Sequence, residues 1–301
     1  MADLFRRQWS IQVGTVRIEG IGAGPGGART GLDCSFEIER STRREPNKAS
    51  VRVWNLAPEH RAALERTRSL PITIAAGYAG AVSTLFDGDV RVAESRRRQA
   101  AHRSAVSAHG RLAGTTDDVD YMTEIEAEDG GTAWRSATVS RSFGPGTPVS
   151  AVLAAAVDAM RIGRGNLGEI GTLALGDGDL GAYSEGTTLS GQAHRELDRV
   201  VRSCGLTWSV QSGALQLRRA GRALATTATM LSPSTGLVGS PSVDADGYVE
   251  AVSLLNGALY PGRPVVLASR HLEGSFQVRR VRHVGDTTGS EWYSEVTLEE
   301  R

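Results

Sequence analysis

Side chains able to ligate a metal or act as a nucleophile are few and badly spaced for either task. The six histidines, His60, His102, His109, His194, His271 and His283, fall at no interval that would turn two donors toward one ion. Cys34 and Cys204 lie in no Cys-x-x-Cys pair and beside no ligand-spaced histidine, so they read as two buried thiols of a reducing compartment. Cys204 ends a predicted helix, but Val200 and Val201 place it on the apolar side as a packed thiol. The run Gly22-Ala23-Gly24-Pro25-Gly26-Gly27 has dinucleotide-type spacing. A strand follows it, not a helix whose amide end would hold a pyrophosphate, and it reads as a loop. Asp177-Gly178-Asp179 matches part of a calcium loop without the later bidentate glutamate, and reads as a polar turn. There is no phosphate-loop motif, no His-Glu-x-x-His and no Gly-x-Ser-x-Gly elbow. Nothing selects a carboxylate pair for glycoside cleavage. The expectation is a chain without catalytic residues, metal or cofactor.

Composition excludes other classes. The chain has 301 residues, 40% of them hydrophobic, enough for more than one core. No apolar run approaches the roughly 20 residues of a membrane helix. Met1 to Gln8 carries no apolar segment behind its charges, so no secretory leader is expected. Lysine plus arginine and aspartate plus glutamate both number 34, for a net charge of +0. General phosphate binding needs a basic excess that this chain lacks. Neutrality also removes the self-repulsion that keeps monomers apart, which favours association. Lys48 is the only lysine, so arginine supplies the remaining positive charge. That bias follows from a GC-rich genome or from fork-shaped ion pairs at interfaces.

The elements that must position these residues are mostly short strands. Trp9, Ile11 and Val13 alternate with polar residues, as do Phe36 and Ile38, Val51 and Val53, and Ile125 and Ala127 with Glu124, Glu126 and Glu128. Period-two alternation with one charged side marks sheets with one wet face and one buried face. Pro58 opens a short helix with Ala62, Ala63 and Leu64 as its apolar stripe. The stretch Arg96 to Asp118 reads as an extended hairpin tip or a mobile excursion. In the middle of the chain the period changes. Thr147 is expected to cap and Pro148 to start a helix with Val149, Val152, Leu153, Ala156, Val157 and Met160 on one face. A second helix is expected from about Ser190 to Cys204, stopped by Gly205, then a hairpin turning at Gln211-Ser212-Gly213. Alternation returns at Val249-Ser253, Phe276-Arg280 and Trp292-Leu298.

From Phe36 onward, spaced short patterns resemble the baseplate hub proteins of tailed bacteriophages. These are Phe36-Glu37-Ile38-Glu39-Arg40, Glu45-Pro46-Asn47-Lys48-Ala49, Val51-Arg52-Val53-Trp54-Asn55-Leu56, Ala76-Gly77-Tyr78 and Leu85-Phe86-Asp87-Gly88-Asp89-Val90. Tyr121 to Gly130, Ser142-Phe143 to Val149, and Cys204-Gly205-Leu206-Thr207-Trp208 continue the likeness, which covers most of residues 30 to 220.

The resemblance implies a mainly β fold with an α+β middle domain, two tail-tube-like β-barrels flanking a small helix-helix-hairpin unit. The corresponding division is 1-143 for a first barrel with a hairpin insertion at 96-118, 144-221 for the middle domain, and 222-301 for a second barrel. Each barrel is expected to close separately. The implied role is that of a structural hub: a homotrimer joining a hexameric tail tube to a trimeric central spike and lining the DNA exit channel in the virion tail tip. Its implied partners are the tail tube protein, the central spike protein and other baseplate or tail-tip proteins, with DNA met only in transit. Arg43, Arg44, Glu45 and Asn47 form the candidate subunit-interface loop. Glu124, Glu126 and Glu128 are the candidate channel lining. The alternatives are the hub of a contractile injection system or gene-transfer particle, or a tail-associated cell-wall hydrolase.

Overall fold

The computed structural model describes residues 3–21, 30–66, 69–98, 120–171 and 181–300. The glycine run 22–27, His102, His109, Asp177–Asp179 and the hairpin stretch from residue 99 to 118 lie outside these residues. The first part contains β1 (Asp3–Val13), β2 (Val16–Ile21), β3 (Thr30–Gly31), β4 (Cys34–Ser41) and β5 (Asn47–Trp54). It continues with α1 (Pro58–Arg66), β6 (Pro71–Ala79), β7 (Ala81–Arg98) and β8 (Asp120–Asp129). The middle holds α2 (Gly131–Ser136), β9 (Thr138–Phe143), β10 (Thr147–Pro148), α3 (Val149–Met160) and β11 (Ala182–Tyr183). It is completed by β12 (Thr187–Gln192), α4 (Ala193–Ser203), β13 (Leu206–Gln211) and β14 (Ala214–Arg219). The last part consists of β15 (Thr229–Leu231), β16 (Leu237–Val243), β17 (Val249–Leu254), β18 (Pro264–Ala268), β19 (Glu273–Asp286) and β20 (Trp292–Glu300). This is the mainly β class with an α+β middle that the sequence led us to expect.

Period-two alternation is realised where it was read. β2 and β5 alternate buried and more exposed residues along their whole length, with Ile18, Val51 and Val53 inward. Among the described residues, three separate cores result. The first is built from β1 to β8 and α1, with Ile11, Ile38, Ile74, Phe86 and Ile125 at its centre. The middle core packs α3 and α4 over the β13–β14 hairpin, around Leu153, Leu197, Val200 and Trp208. The last core joins Leu231, Val265, Val278, Val281 and Leu298. Val139 of β9 belongs to the middle core, because β9 pairs with β12.

The middle unit departs from the local reading in two places. Thr147 does not cap α3: with Pro148 it pairs with β11, and its hydroxyl donates to the Gly144 carbonyl at 2.8 Å. Ser190 is not helical but sits in β12 opposite Ser140 of β9, so α4 begins at Ala193. In both cases a ladder partner distant in sequence satisfies backbone groups that the helix end would otherwise have taken. At the hairpin, Ser212 and Gly213 both have positive φ, 53° and 72°, the geometry of the tight turn that matches strand twist.

Among the described residues the two β-rich ends keep separate cores but share one sheet, where two independent sheets were expected. Their strands form one hydrogen-bonded sheet in the order β16-β17-β20-β19-β4-β5-β8-β7-β6-β1-β2-β3, with β15 and β18 attached beside β19. β19 makes the join by changing neighbours along its length. Its first half, Glu273–Gln277, pairs with β18; its second half, Arg280–Asp286, pairs with β4 from Ser41 to Ser35. A register shift between Val278 and Arg280 marks the switch. Side chains reinforce the joint. Trp292 of β20 lies in the first core, edge-on to Phe36 with centroids 5.4 Å apart, its indole N–H donating to the Gly77 carbonyl at 3.3 Å. Gly285 is required opposite Phe36, because a Cβ there would collide with the ring.

Candidate functional site

The shared sheet carries one polar face across the joint between its two units. Period two assigns to it Glu250 of β17, Glu295 and Glu299 of β20, Arg280 and Arg282 of β19, and Glu37 and Glu39 of β4. Lys48 and Arg52 of β5 and Glu124, Glu126 and Glu128 of β8 continue it. On these strands that is eight carboxylates against four cations, and Arg91 and Arg135 add two more cations beside Glu128. The cations are placed to tie strands together. Arg282 donates to Glu37 at 2.7 Å and to Glu295 at 2.9 Å, so one guanidinium bridges β4, β19 and β20. Arg280 pairs with Glu39 across the same joint. The hydrogen bond from Arg282 holds the Glu37 carboxyl below its ordinary pKa, and the two glutamates raise that of Arg282.

The three glutamates of β8 have different fates. Glu124 is paired with Arg52 at 3.0 Å. Glu128 is 8% exposed and accepts from both Arg91 and Arg135. Glu126 is exposed between them and makes no ion pair among the described residues, so it presents a free carboxylate to the face. Of the candidate lining, one residue is open, one half-committed and one buried in a network.

The candidate interface loop also divides. Arg43 and Glu45 are exposed. Arg44 reaches the middle unit, donating to Asp198 at 2.7 Å. Asn47 is 3% exposed and faces inward. Its Oδ1 accepts from the Ser41 amide at 2.9 Å, while its Nδ2 donates to the Val210 carbonyl at 2.9 Å and to Gln211 at 3.1 Å. The structure thus places Asn47 inside the chain, as a pin between the first unit and the middle hairpin.

Sequence reading missed the junction around that pin. Arg40, 3% exposed, donates to the Leu85 carbonyl at 2.9 Å and to Gln211 and Ser212 at 3.2 Å each. Its guanidinium also lies 4.1 Å from the Tyr260 ring centroid, so one side chain touches all three units. Asp129 accepts the amides of Ser212 and Gly213 at 2.7 Å each and clamps the hairpin turn. Burial nevertheless raises its pKa, desolvation outweighing those hydrogen bonds. The one local signal was Arg40 itself, a charge where the alternation of β4 calls for an inward residue.

Thiols and imidazoles hold structural positions. Cys34 is fully buried and its pKa is pushed far up by desolvation. The Cys204 thiol donates to the Val200 carbonyl at 3.2 Å. His283 faces inward at the joint, its Nδ1 2.8 Å from the Ser294 hydroxyl. Among the described residues, no helix is long and apolar enough to cross a membrane.

The arrangement consists of ion pairs that tie strands together and of a charged, partly exposed sheet face. Solved structures similar in fold include two tail proteins and a secretion-system component. The chain aligns over 98% of its length, with TM-score 0.59 and 9% identity, with 97% of the 43 kDa tail protein of prophage MuSo2 from Shewanella oneidensis. A tail protein from Neisseria meningitidis matches equally well, at TM-score 0.59 and 9% identity over 98% of this chain and 96% of that one. A third is an Escherichia coli component of the type VI secretion system described as structurally similar to bacteriophage tail proteins. It matches at TM-score 0.55 and 11% identity, over 97% of this chain and 76% of that one. No family model and no curated protein sequence matches the chain. The fold is therefore that of phage-type tail proteins.

Proposed function

We propose that this chain is a structural hub of a phage tail baseplate, a homotrimer that joins the tail tube to the central spike. One observation carries the reading: two β units with separate cores stand side by side in one continuous sheet, joined at β4 and β19. Three such chains supply six β units around an axis, which matches a hexameric tube on one side while keeping three-fold symmetry for a spike on the other. The outer edge of β16 has no strand partner among the described residues and exposes Val238 and Val243, 47% and 58% accessible. An open, apolar edge demands cover, and a neighbouring chain supplies it. The polar face of the sheet lines the channel, where its acidic excess repels phosphate and lets DNA slide. The tail tube, the spike and other tail-tip proteins are then the partners, and the virion tail tip is the location. The role is mechanical and includes no catalytic step.

The test is the mass of the purified protein by light scattering, alone and with tube and spike proteins. The expected species is three times the 31.9 kDa of one chain. A monomer that persists in assembled tails ends the proposal. A zymogram on cell-wall substrate is expected to stay dark; clearing lost on mutating a single carboxylate would establish a hydrolase instead. The likeness to a type VI secretion component supports a second reading with the same physics, the hub of an injection system. Neighbouring genes for a capsid, or for a secretion sheath without one, separate the two.

A further inference from the structure

A cleft of about 710 Å³ opens where the turn 42–45, the middle unit and the β19–β20 hairpin meet. It has room for several side chains. Trp134 forms an apolar wall, stacked on the His194 ring with centroids 4.2 Å apart and tilted against Trp208 at 5.6 Å. Two of its carboxylates already have partners. Asp198 takes Arg44 at 2.7 Å and Arg202 at 3.0 Å, and Glu299 takes Gln277 at 2.6 Å and Arg279 at 3.5 Å. The side chains of Arg43 and Arg195 are exposed and make no ion pair among the described residues.

Arg218 is the decisive group. It is 7% exposed and lines the cleft, yet its Nε has no hydrogen-bond partner and its Nη1 reaches only Gln277, at a long 3.4 Å. Its stem runs past Gly262, where a Cβ would stand 2.7 Å from Arg218 Cδ, so glycine keeps the path clear. Glu299 is the anion that faces Arg218, but it is shared with Arg279 and Gln277, so this buried cation is only partly compensated and a further anion would stabilise it. Guanidinium forks suit carboxylate and phosphate alike. Here Glu45 and Glu299 interrupt the arginines. That alternation repels a continuous polyphosphate but accommodates single carboxylates spaced along a peptide, and the Trp134–His194 stack takes an apolar side chain beside them.

We propose that this cleft binds an acidic peptide segment of a partner protein, with one carboxylate seated on Arg218 and a second on Arg195. The probe is a fluorescein-labelled octapeptide of glutamate with two interspersed phenylalanines, titrated with the full chain and read by anisotropy. Saturable binding is expected at about 1–100 µM. Arg195→Glu and Arg218→Gln should each weaken it at least about tenfold. Arg195 is exposed, so its variant keeps the wild-type circular dichroism and melting temperature, and it decides the matter should Arg218→Gln not fold. Equal binding of a lysine octapeptide overturns the proposal, as does unchanged binding by Arg195→Glu. Displacement by inorganic phosphate or a single-stranded DNA dodecamer at the peptide's own concentration overturns it too, by showing a phosphate site.

Discussion

His283 sits on the inward face of β19 beside Ser294, and burial, with Arg40 as a second cause, depresses its pKa from 6.5 to about 3. The folded chain holds it neutral while the unfolded chain protonates it near its ordinary value. Stability is thus complete above about pH 6.5 and is lost as pH falls toward 3. Urea unfolding at pH 7 and pH 4 should show a difference of about 3 kcal/mol from this residue. His283→Asn, which retains a partner for Ser294, should flatten that acid limb; an unchanged pH slope in the variant rules the assignment out. Asn47 makes a second prediction at this scale. Asn47→Ala strips the Ser41 amide and the Val210 carbonyl of buried partners. Chemical denaturation should register a loss of about 1–3 kcal/mol. A change within experimental error would show that the hairpin is held by Arg40 and Asp129 alone.

Elements act here through their neighbours. β19 is long because it serves two units, and its register shift near Arg279 lets one strand follow β18 and then β4. β20 secures the same joint by burying Trp292 in the first core. Trp292→Ala removes that ring and leaves a cavity against Phe36, at a cost of about 3–5 kcal/mol. The variant should also unfold in two steps, the last unit separating from the first, when tryptophan fluorescence is compared with circular dichroism. A single coincident transition would mean that the β4–β19 ladder and the Arg282 bridge suffice to couple the units.

In the whole molecule, charge is distributed with more order than the net value of +0 suggests. The shared face is acidic, and the three-unit cleft has cations to spare. If the face lines a channel, wild-type protein should not retain duplex DNA on a filter at low salt. Glu126→Lys, at the exposed glutamate of β8, should raise retention about several-fold, because a single added phosphate contact strengthens binding and its salt dependence. Retention equal to wild type would place this face away from DNA. Reconstituted tails carrying the variant should eject DNA more slowly if the channel assignment holds.

How much of this was legible in the chain depends on the range of the interaction involved. Strands at Trp9–Val13, Phe36–Ile38 and Val51–Val53, the helix after Pro148, and the turn at Ser212-Gly213 follow from side-chain period and backbone freedom within a few residues. The amino-acid order alone therefore determined a mainly β protein with an α+β middle, and also the alternation that puts Glu124, Glu126 and Glu128 on one side of β8. It did not distinguish those three, since Arg52, Arg91 and Arg135 arrive from other elements to claim two of them. Nor did it reveal that the two ends share a sheet, because the Arg282–Glu37 contact spans 245 residues and no local pattern encodes which edge meets which. Tertiary structure settled the strand pairing, the inward turn of Asn47 and the convergence of arginines at the cleft. Each depends on the relative placement of separately folded cores, which is fixed only when their surfaces are buried against one another.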